Sequence, residues 1–569
     1  MSADTINGAR IVLETLHRLG VTDMFGYPGG AVIPIYDEIY SFPEIKHYFV
    51  RHEQGAAHAA DGYARVSGKV GVCLATSGPG ATNLVTGIMT AYMDSVPMVA
   101  ITGQVGRALI GKDSFQEADI QGITMPITKH NYLVQDIHDL PRIIKEAYFI
   151  AGTGRPGPVL IDIPKDIQTE KISMSEYNKL YDVPIHLEGY DPTYKGHQGQ
   201  IKKAATLIKN AKRPLIIAGA GVLKSDAMAE LKELAEKAQI PVANTLVGLG
   251  GFPGNHELAL GMVGMHGSVA ANNCTEDADL VIAAGIRFHD RITGHPDFFC
   301  KKAKIIHIDI DPAEIDKNVT INVPIVGDLK RVLTELNTLV EPTTHESWIT
   351  QIREWQQEYP MVVPESTHGE LHPQYVLSEL NKFAKDDAII VTDVGQHQMW
   401  AAQFLTHKAP HTIVTSGGAG TMGYGLPAAI GAQVGAPDKQ VILVVGDGGF
   451  QMTCEELMMV RQYNLSIKIV IINNGYLGMV RQWQQIFNNR RYSYVDLEVS
   501  PDFLKLADAF DLKAARLDSV ETFNKDFKSY ITSDESIVLD CRVEREDNVL
   551  PMIPAGGTVS GMMGKKGVL

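Results

Sequence analysis

Short apolar runs alternate with amphipathic helical patterns along the chain, beginning with a helix pattern over residues 9–19. Strands that alternate with helices are typical of parallel, doubly wound sheets. The pattern therefore predicts an α/β protein built from such sheets. The runs that we expect to form strands are residues 47–50, 70–76, 98–102, 159–163, 214–218, 280–284, 305–310, 388–392, 441–445, 467–472 and 536–540.

Two stretches without periodicity, residues 182–200 and 341–373, divide the chain into three blocks. We expect a linker in the first stretch and one short helix in the second. The predicted domains are residues 1–182, 190–342 and 370–545, followed by a tail of residues 546–569. Each domain is expected to hold one doubly wound parallel sheet. Residues 76–80 and 415–420 share a Thr-Ser-Gly pattern, which suggests that the first and third domains are related.

The composition limits the kinds of molecule that we expect the protein to bind. The 569 residues carry 51 Lys and Arg against 66 Asp and Glu, a net charge of −15, which argues against nucleic acid or a membrane surface as the main partner. Charged residues at 21% and hydrophobic residues at 45% are typical of a globular protein. Five cysteines without C-x-x-C spacing predict no disulfide framework or zinc site. With no targeting or membrane-spanning pattern, we expect a cytoplasmic protein.

The most informative segment is Gly446-Asp447-Gly448-Gly449, which ends one predicted strand, while Asn473-Asn474 ends the next. Parallel strands would place Asp447 and Asn474 at one sheet edge, where open α/β folds bind ligands. Carboxylate and amide oxygens suit Mg²⁺, and glycine lets backbone N–H groups approach an anion at a helix start. No Lys or Arg lies within residues 441–460, so a phosphate would need the metal. The alternative, a simple turn and a cap, is less favoured when both motifs occur together at this spacing.

Three other segments each leave two interpretations open. Glu53 leaves a strand into a helix of small residues, which fits a buried acid–base carboxyl, or else a Glu that favours the helix N-terminus or pairs with Arg51. The glycine cluster at residues 420–425 fits a ligand or helix–sheet packing. Gly219-Ala220-Gly221 lacks the third glycine of G-x-G-x-x-G, so it indicates a dinucleotide-binding fold only weakly.

Gly446-Asp447-Gly448 with Asn473-Asn474 resembles the thiamine-diphosphate motif of the pyruvate-decarboxylase-like enzymes. The resemblance implies that Asp447, Asn474 and the backbone carbonyl of Tyr476 bind Mg²⁺, which holds the diphosphate. Glu53 would then bond the aminopyrimidine ring of the cofactor from the opposite subunit, so the enzyme would be at least a dimer. Gly420 would accept from the amino group of the cofactor, and Met422 would bend it. The implied thiamine-diphosphate contacts are Tyr27, Pro28, Gly29, Gln396, His397, Gly420, Met422, Gly448, Gly449 and Met479.

Longer segments, among them residues 25–31, 77–83, 264–267, 287–294 and 478–483, resemble the FAD-containing biosynthetic acetohydroxyacid (acetolactate) synthases. The three domains would then be pyrimidine-binding, flavin-binding and diphosphate-binding, with FAD in a structural role. His289 stands where the family often has Asp, beside the flavin. The residues implied to contact FAD are Arg155, Gly219, Gly221, Thr245, Leu246, Met265, His266, Gly285, Arg287, Asp309 and Asp328.

The resemblance also implies the reaction. The enzyme would decarboxylate pyruvate and transfer the hydroxyethyl carbanion to a second 2-keto acid, giving 2-acetolactate from pyruvate or 2-aceto-2-hydroxybutyrate from 2-ketobutyrate, for isoleucine and valine biosynthesis. Arg291 would bind the acceptor carboxylate and Trp483 would favour the larger acceptor. Gln116 and Lys165 would lie near the substrate channel. A homodimer or homotetramer is expected, and such enzymes often work with a small regulatory subunit.

Two alternatives stay open. One is a catabolic, flavin-free acetolactate synthase or another thiamine-diphosphate 2-keto acid decarboxylase or oxidase. The other is a nucleotide-binding scaffold without catalysis, which the joint presence of Glu53, Asp447 and Asn474 disfavours. The apolar, proline-broken tail around residues 549–557 is expected to fold over the active site as a lid. Its removal before Val549 would then lower turnover and leave the fold intact.

Overall fold

The computed structural model describes residues 5–567, so the first four and last two residues of the predicted domain ranges lie outside it. The described residues form three six-stranded parallel sheets and one short antiparallel pair. Helices connect the strands within each sheet. The predicted α/β class with three doubly wound parallel sheets is confirmed. No helix among residues 5–567 is both long enough and apolar enough to cross a membrane.

The first sheet has the order β3-β2-β4-β5-β7-β6, and β1 pairs with β8 beside it. The strands are β1 Thr5–Asn7, β2 Asp23–Gly26, β3 Lys46–Phe49, β4 Gly71–Ala75, β5 Met98–Gln104, β6 His130–Leu133, β7 Pro158–Pro164 and β8 Lys171–Ser173. The helices are α1 Gly8–Arg18, α2 Ile33–Tyr40, α3 Glu53–Ser67, α4 Pro79–Asn83, α5 Val85–Met93, α6 Ile120–Thr124, α7 Leu140–Gly152, α8 Lys165–Thr169 and α9 Met174–Asp182.

The central sheet has the order β11-β10-β9-β12-β13-β14. The strands are β9 Pro214–Ala218, β10 Val242–Asn244, β11 Ala259–Met262, β12 Leu280–Ala284, β13 Lys304–Asp309 and β14 Val323–Val326. The helices are α10 Gln198–Asn210, α11 Ala220–Lys224, α12 Met228–Ala238, α13 Val269–Asp277, α14 Asp290–Thr293 and α15 Leu329–Leu339. Helix α16, Glu346–Glu358, lies in the stretch that leads to the third sheet, where one helix was predicted.

The third sheet has the order β16-β15-β17-β18-β20-β19. The strands are β15 Ile389–Thr392, β16 Ile413–Val414, β17 Val441–Gly446, β18 Ile467–Asn473, β19 Lys513–Leu517 and β20 Ile537–Arg542. The helices are α17 Pro373–Phe383, α18 Gln396–Phe404, α19 Gly425–Gly435, α20 Asp447–Gln451, α21 Leu457–Gln462, α22 Gly478–Phe487, α23 Phe503–Ala509 and α24 Val520–Thr532.

The strand orders relate the domains to each other. The first and third sheets wind identically, although the similar residues 76–80 and 415–420 follow strands that are not equivalent, β4 and β16. The central sheet has the order typical of dinucleotide-binding folds, which its incomplete glycine motif indicated only weakly. In such sheets ligands bind where the direction of winding reverses, at the carboxyl ends of the strands. Those positions follow β2 and β4, β9 and β12, and β15 and β17.

The first and third domains pack tightly through α3 and α19. Both helices are rich in Gly and Ala, and their facing residues are almost fully buried. A Cβ added at Gly431 would lie 1.8 Å from the Ala59 carbonyl oxygen, and one at Gly62 would lie 2.1 Å from that of Ala428. Small residues therefore allow the two backbones to touch, and this contact fixes the two domains of one chain against each other.

Candidate cofactor and active site

A large cavity of about 1100 Å³ lies between the central and third domains, and residues 92–94 and Arg155 of the first domain also line it. It opens where β15 and β17 end, at the winding reversal of the third sheet. Predicted thiamine-diphosphate, metal and substrate residues share this lining with predicted flavin residues. The predicted residues on its wall are Gln396, His397, Gly420, Met422, Asp447, Gly448, Gly449, Asn474, Tyr476, Met479, Trp483, Arg291, Arg155, Thr245, Leu246, Met265, His266 and Arg287.

Asp447 begins α20 directly after β17 and is 1% exposed. Its Oδ2 atom has no hydrogen-bond partner, and burial raises the pKa of this carboxyl to about 7. Asn474, after the neighbouring strand β18, donates through Nδ2 to Gln396 Oε1 at 3.1 Å. Its Oδ1 accepts from the Tyr476 N–H at 3.2 Å. A buried carboxylate oxygen without a partner, beside an amide oxygen, fits a divalent cation.

Residues 5–567 contain no group of three or more His, Cys, Asp or Glu side chains arranged to hold a metal. The predicted donor set is of a different kind, since it has one carboxylate, one amide oxygen and one backbone carbonyl. An anionic ligand that also binds the metal would complete such a set, which is common for Mg²⁺.

Asp393 supports the same edge and was not singled out from the sequence. It follows β15, is 1% exposed, and accepts from the N–H groups of Gly423 and Gly425 at 3.2 and 2.7 Å. A Cβ at Gly449 would lie 2.2 Å from Asp393 Oδ1, so this position requires glycine. Burial lowers the pKa of the neighbouring His397 to about 3, so that imidazole is neutral. The edge is thus held by one buried carboxyl and lined by a neutral ring.

The wall of the large cavity also contains Arg291 and Trp483, the pair predicted to bind the acceptor substrate. The Arg291 guanidinium lies 5.5 Å from the centre of the Trp483 ring and is half exposed. His289 caps the short helix α14, because its Nδ1 accepts from the Arg291 N–H at 3.2 Å. A cation stacked on an indole offers a carboxylate partner beside an apolar wall.

A second cavity of about 200 Å³ lies at the winding reversal of the central sheet. A Cβ at Gly219 or Gly221 would lie 2.3 or 2.6 Å from the Gly285 backbone, which explains the glycines after β9 and β12. Arg155 Nη1 pairs with Asp311 and Glu314 at 3.0 and 2.8 Å. Together the two cavities include every predicted flavin residue. Those on the wall of the second cavity are Arg155, Gly219, Gly221, Thr245, Gly285, Arg287, Asp309 and Asp328.

Of the predicted residues of the first domain, Arg155 lines both cavities, whereas Glu53 and the others line neither. Glu53 starts α3 and is half-buried, and its Oε2 accepts from Asn83 Nδ2 at 2.9 Å. A Cβ at Gly80 would lie 3.1 Å from Glu53 Oε1. The proposed pairing with Arg51 is wrong, since that guanidinium donates to the Phe49 carbonyl and to Gln462.

The remaining predicted residues of this domain follow other strand ends of the first sheet. Tyr27, Pro28 and Gly29 follow β2, and a Cβ at Gly29 would lie 2.5 Å from Thr76, which follows β4. Gln116, with a φ of 60°, packs against Gly78. Lys165 is exposed at the start of α8. The predicted site residues therefore form two groups in one chain.

Glu456 of the third domain holds the turn that precedes Glu53. It is fully buried, and its carboxylate accepts from the Arg51 N–H at 3.0 and 3.1 Å and from the His52 N–H at 3.0 Å. A Cβ at Gly55 would lie 2.2 Å from Glu456 Oε1, so this approach requires glycine. The Phe49 N–H also donates to the Tyr463 hydroxyl at 2.7 Å. Sequence reasoning missed this clamp because its partners lie about four hundred residues apart.

The tail packs against helix α22 of the third domain and against Met265 of the central domain. Val549 and Met552 are buried, and the Val549 N–H donates to Gln482 Oε1 at 2.8 Å. The Ile553 N–H donates to the Met265 carbonyl at 2.8 Å. The tail thus spans the third and central domains beside the site, and its role as a lid stays a prediction.

Comparison with known proteins extends over the whole molecule. Three family models match: "Thiamine pyrophosphate enzyme, N-terminal TPP binding domain" over residues 6–123, "Thiamine pyrophosphate enzyme, central domain" over 201–336 and "Thiamine pyrophosphate enzyme, C-terminal TPP binding domain" over 393–541. Each match falls within a different one of the three domains.

Relatives that are similar over nearly their full length are acetolactate synthases. The acetolactate synthase large subunit of Lactococcus lactis subsp. lactis (strain IL1403) is 48% identical over 559 residues, 98% of this chain and 96% of that protein. The acetolactate synthase of Arthrospira platensis is 49% identical over 577 residues, 98% of each. That of Mycobacterium bovis (strain ATCC BAA-935 / AF2122/97) is 47% identical over 577 residues, 99% of this chain and 92% of that protein. The chain therefore belongs to the acetolactate synthase large-subunit family of thiamine-pyrophosphate enzymes.

Proposed function

We propose that this protein is the catalytic subunit of a biosynthetic acetolactate synthase. It decarboxylates pyruvate and joins the two-carbon unit to a second 2-keto acid, on the route to branched-chain amino acids. The observation that carries the proposal is the large cavity, which brings the buried Asp447–Asn474 edge and the Arg291–Trp483 pair onto one wall. Near-full-length similarity to acetolactate synthases supports it.

The third-domain edge would hold the cofactor through a metal. Asp447, Asn474 and the Tyr476 carbonyl would bind Mg²⁺, and the N–H groups at Gly448 and Gly449 would bind the diphosphate at the start of α20. Thiamine diphosphate supplies the electron sink that lets a 2-keto acid lose carbon dioxide. Because no Lys or Arg lies within residues 441–460, the protein depends on the metal for attraction to the diphosphate.

Two chains would complete one active site. Glu53 does not line the cavity of its own chain, and α3 is packed rigidly against α19 of that chain. A partner subunit would bring its own Glu53 to the cavity, where the carboxyl holds and releases the proton of the pyrimidine ring nitrogen. This supports a dimer as the smallest active unit. A tetramer, a regulatory subunit and a cytoplasmic location stay predictions.

The remaining residues would select the substrate and hold the flavin. Arg291 would bind the acceptor carboxylate, which a protein of net charge −15 must attract locally. Trp483 would pack on the extra methyl of 2-ketobutyrate, a contact of about 1–3 kcal/mol. FAD would occupy the second cavity and the adjoining part of the large one, between the glycine turns after β9 and β12.

An assay with pyruvate and 2-ketobutyrate tests the proposal. We expect both acetohydroxy acids as products, with turnover that disappears when Mg²⁺ or thiamine diphosphate is removed and returns when both are restored. The purified protein should also be flavin-yellow. Acetaldehyde as the main product would instead support a simple decarboxylase, and turnover that needs neither cofactor would reject the proposal.

A further inference from the structure

Asp94, which no sequence motif singled out, joins the first domain to the cofactor loop of the third. It directly follows α5, and its side chain is 1% exposed. Its two oxygens accept from the N–H groups of Gly417 and Gly418 at 3.0 and 2.8 Å. A buried carboxylate that binds two consecutive backbone N–H groups fixes the direction of that backbone.

The charge of Asp94 is balanced by a buried network. Arg65 Nη2 lies 2.9 Å from Asp94 Oδ2, and Arg65 Nε lies 2.6 Å from Asp61 Oδ1. The Tyr424 hydroxyl donates to the same Asp61 oxygen at 2.6 Å. One guanidinium is thus shared by two carboxylates, of which only Asp94 also binds the loop.

The loop at residues 416–422 is contacted by both the first and the central domain. The Thr421 hydroxyl contacts that of Thr90 at 2.7 Å, so the first domain touches the loop twice. A Cβ at Gly417 would lie 2.3 Å from Val247 of the central domain, and one at Gly418 would lie 2.9 Å from Asp94 Oδ1. Asp94 and the loop residues 416–420 line the large cavity, and Asp94 also lines the second one.

We propose that Asp94 is a positioning residue for the pyrimidine end of thiamine diphosphate. By fixing the N–H groups of Gly417 and Gly418, it sets where the carbonyl of Gly420 and the side chain of Met422 meet the cofactor. The inference rests on the proposed function, because it takes the large cavity as the thiamine-diphosphate site. It assigns to the first domain of each chain a second task besides carrying Glu53, at the cavity of the same chain.

Asp94→Asn tests the proposal, with Asp61→Asn as the matched control. Both changes remove one buried carboxylate from Arg65, but only the first turns an N–H donor toward the loop. We expect the dissociation constant for thiamine diphosphate, read from tryptophan fluorescence at saturating Mg²⁺, to rise about tenfold or more in Asp94→Asn and much less in the control. Equal constants in the two variants would overturn the positioning role.

Inorganic pyrophosphate with Mg²⁺ separates this inference from the proposed function, because it occupies the diphosphate end alone. We expect both variants to bind it as the wild type does. If the wild type binds neither ligand, the proposed function fails; if it binds both and Asp94→Asn matches the control, only the positioning role fails. Should Asp94→Asn not fold, Gly418→Ala replaces it, since its Cβ pushes the loop off Asp94. Unchanged thiamine-diphosphate binding in Gly418→Ala would also overturn the inference.

Discussion

The first and third sheets have the same strand order but differ at their carboxyl edges. The third-sheet edge opens into the large cavity and holds a buried carboxylate oxygen of Asp447 without a partner. The first-sheet edge carries Glu53, which is bonded to Asn83 and lies outside that cavity. In the proposed enzyme the two related sheets would serve two different functions: the edge after β17 would bind the cofactor, and the edge after β3 would supply the acid–base group. A single chain contains both groups of residues, but the two groups do not meet in one cavity.

The two halves are nevertheless connected within the chain. Asp447 begins α20, and the same short segment ends at Glu456, which holds the turn before Glu53. Buried hydrogen bonds to a carboxylate are among the stronger ones in proteins. The position of Glu53 therefore depends on the third domain even though Glu53 does not reach its cavity.

The largest contrast is expected between Asp447→Asn and Glu53→Gln. Asp447→Asn should abolish Mg²⁺-dependent binding of thiamine diphosphate, because the cavity loses its carboxylate ligand. Glu53→Gln should keep that binding within a few-fold but lower kcat by about 10²–10⁴-fold, the range for loss of a general acid–base group. Cofactor titration and turnover measure the two effects, and the exposed Asp508→Asn is the control. Equal losses of thiamine-diphosphate binding in both variants would show that the first-sheet and third-sheet edges do not have separate roles.

Glu456→Gln sharpens the comparison through pH. Burial raises the pKa of Glu456 to about 7 from an ordinary 4.5, so the folded protein binds this proton more tightly than the unfolded chain. Its stabilising contribution is complete below about pH 4.5 and is lost as the pH rises to about 7. Over that window the wild type should lose stability relative to Glu456→Gln, by up to about 1.4 kcal/mol per pH unit.

Unfolding midpoints at several pH values measure this difference, with Glu455→Gln as the matched control because the neighbouring carboxyl does not clamp the turn. The variant should also lower kcat while leaving binding of pyrophosphate with Mg²⁺ unchanged, since only the first-sheet edge is loosened. Parallel pH curves for the wild type and Glu456→Gln would show that Glu456 does not titrate in this range.

Trp483→Leu should give the smallest effect, and it should change only substrate selection at the third-domain cavity. The smaller side chain loses packing on the extra methyl of 2-ketobutyrate, so the preference over pyruvate should fall about tenfold, with thiamine-diphosphate binding unchanged. Product ratios from mixed substrates measure it, with Trp355→Leu on α16 as the control. An unchanged product ratio would show that the acceptor 2-keto acid does not pack against Trp483.

Much of the fold could be predicted from the sequence, because buried parallel strands are continuous apolar runs. Each of the eleven predicted strands lies on an observed one. The missed strands are short or lie near sheet edges, such as β16 Ile413–Val414 and β19 Lys513–Leu517, whose residues lack a clear apolar run. The site residues near Asp447 were predictable because glycines and hard ligands cluster at two successive strand ends.

Other parts of the site had no local signal. Asp94, Asp393 and Glu456 act by binding backbone N–H groups of distant segments, and an isolated acidic residue in sequence does not reveal that contact. Nor could the sequence show that Glu53 lies apart from the cavity of its own chain. That separation follows from the close packing of α3 on α19, which depends on where Gly62 and Gly431 meet in space.

Mixing two inactive variants tests the central claim that each active site takes Glu53 from one chain and Asp447 from the other. Glu53→Gln and Asp447→Asn chains are dissociated, mixed in equal amounts and reassembled. Half of the dimers are then hybrids, each with one intact site, so activity should return to about a quarter of the wild-type value, whereas each variant alone stays inactive. Mixed chains that stay as inactive as the separate variants, with hybrid assembly verified, would contradict the account.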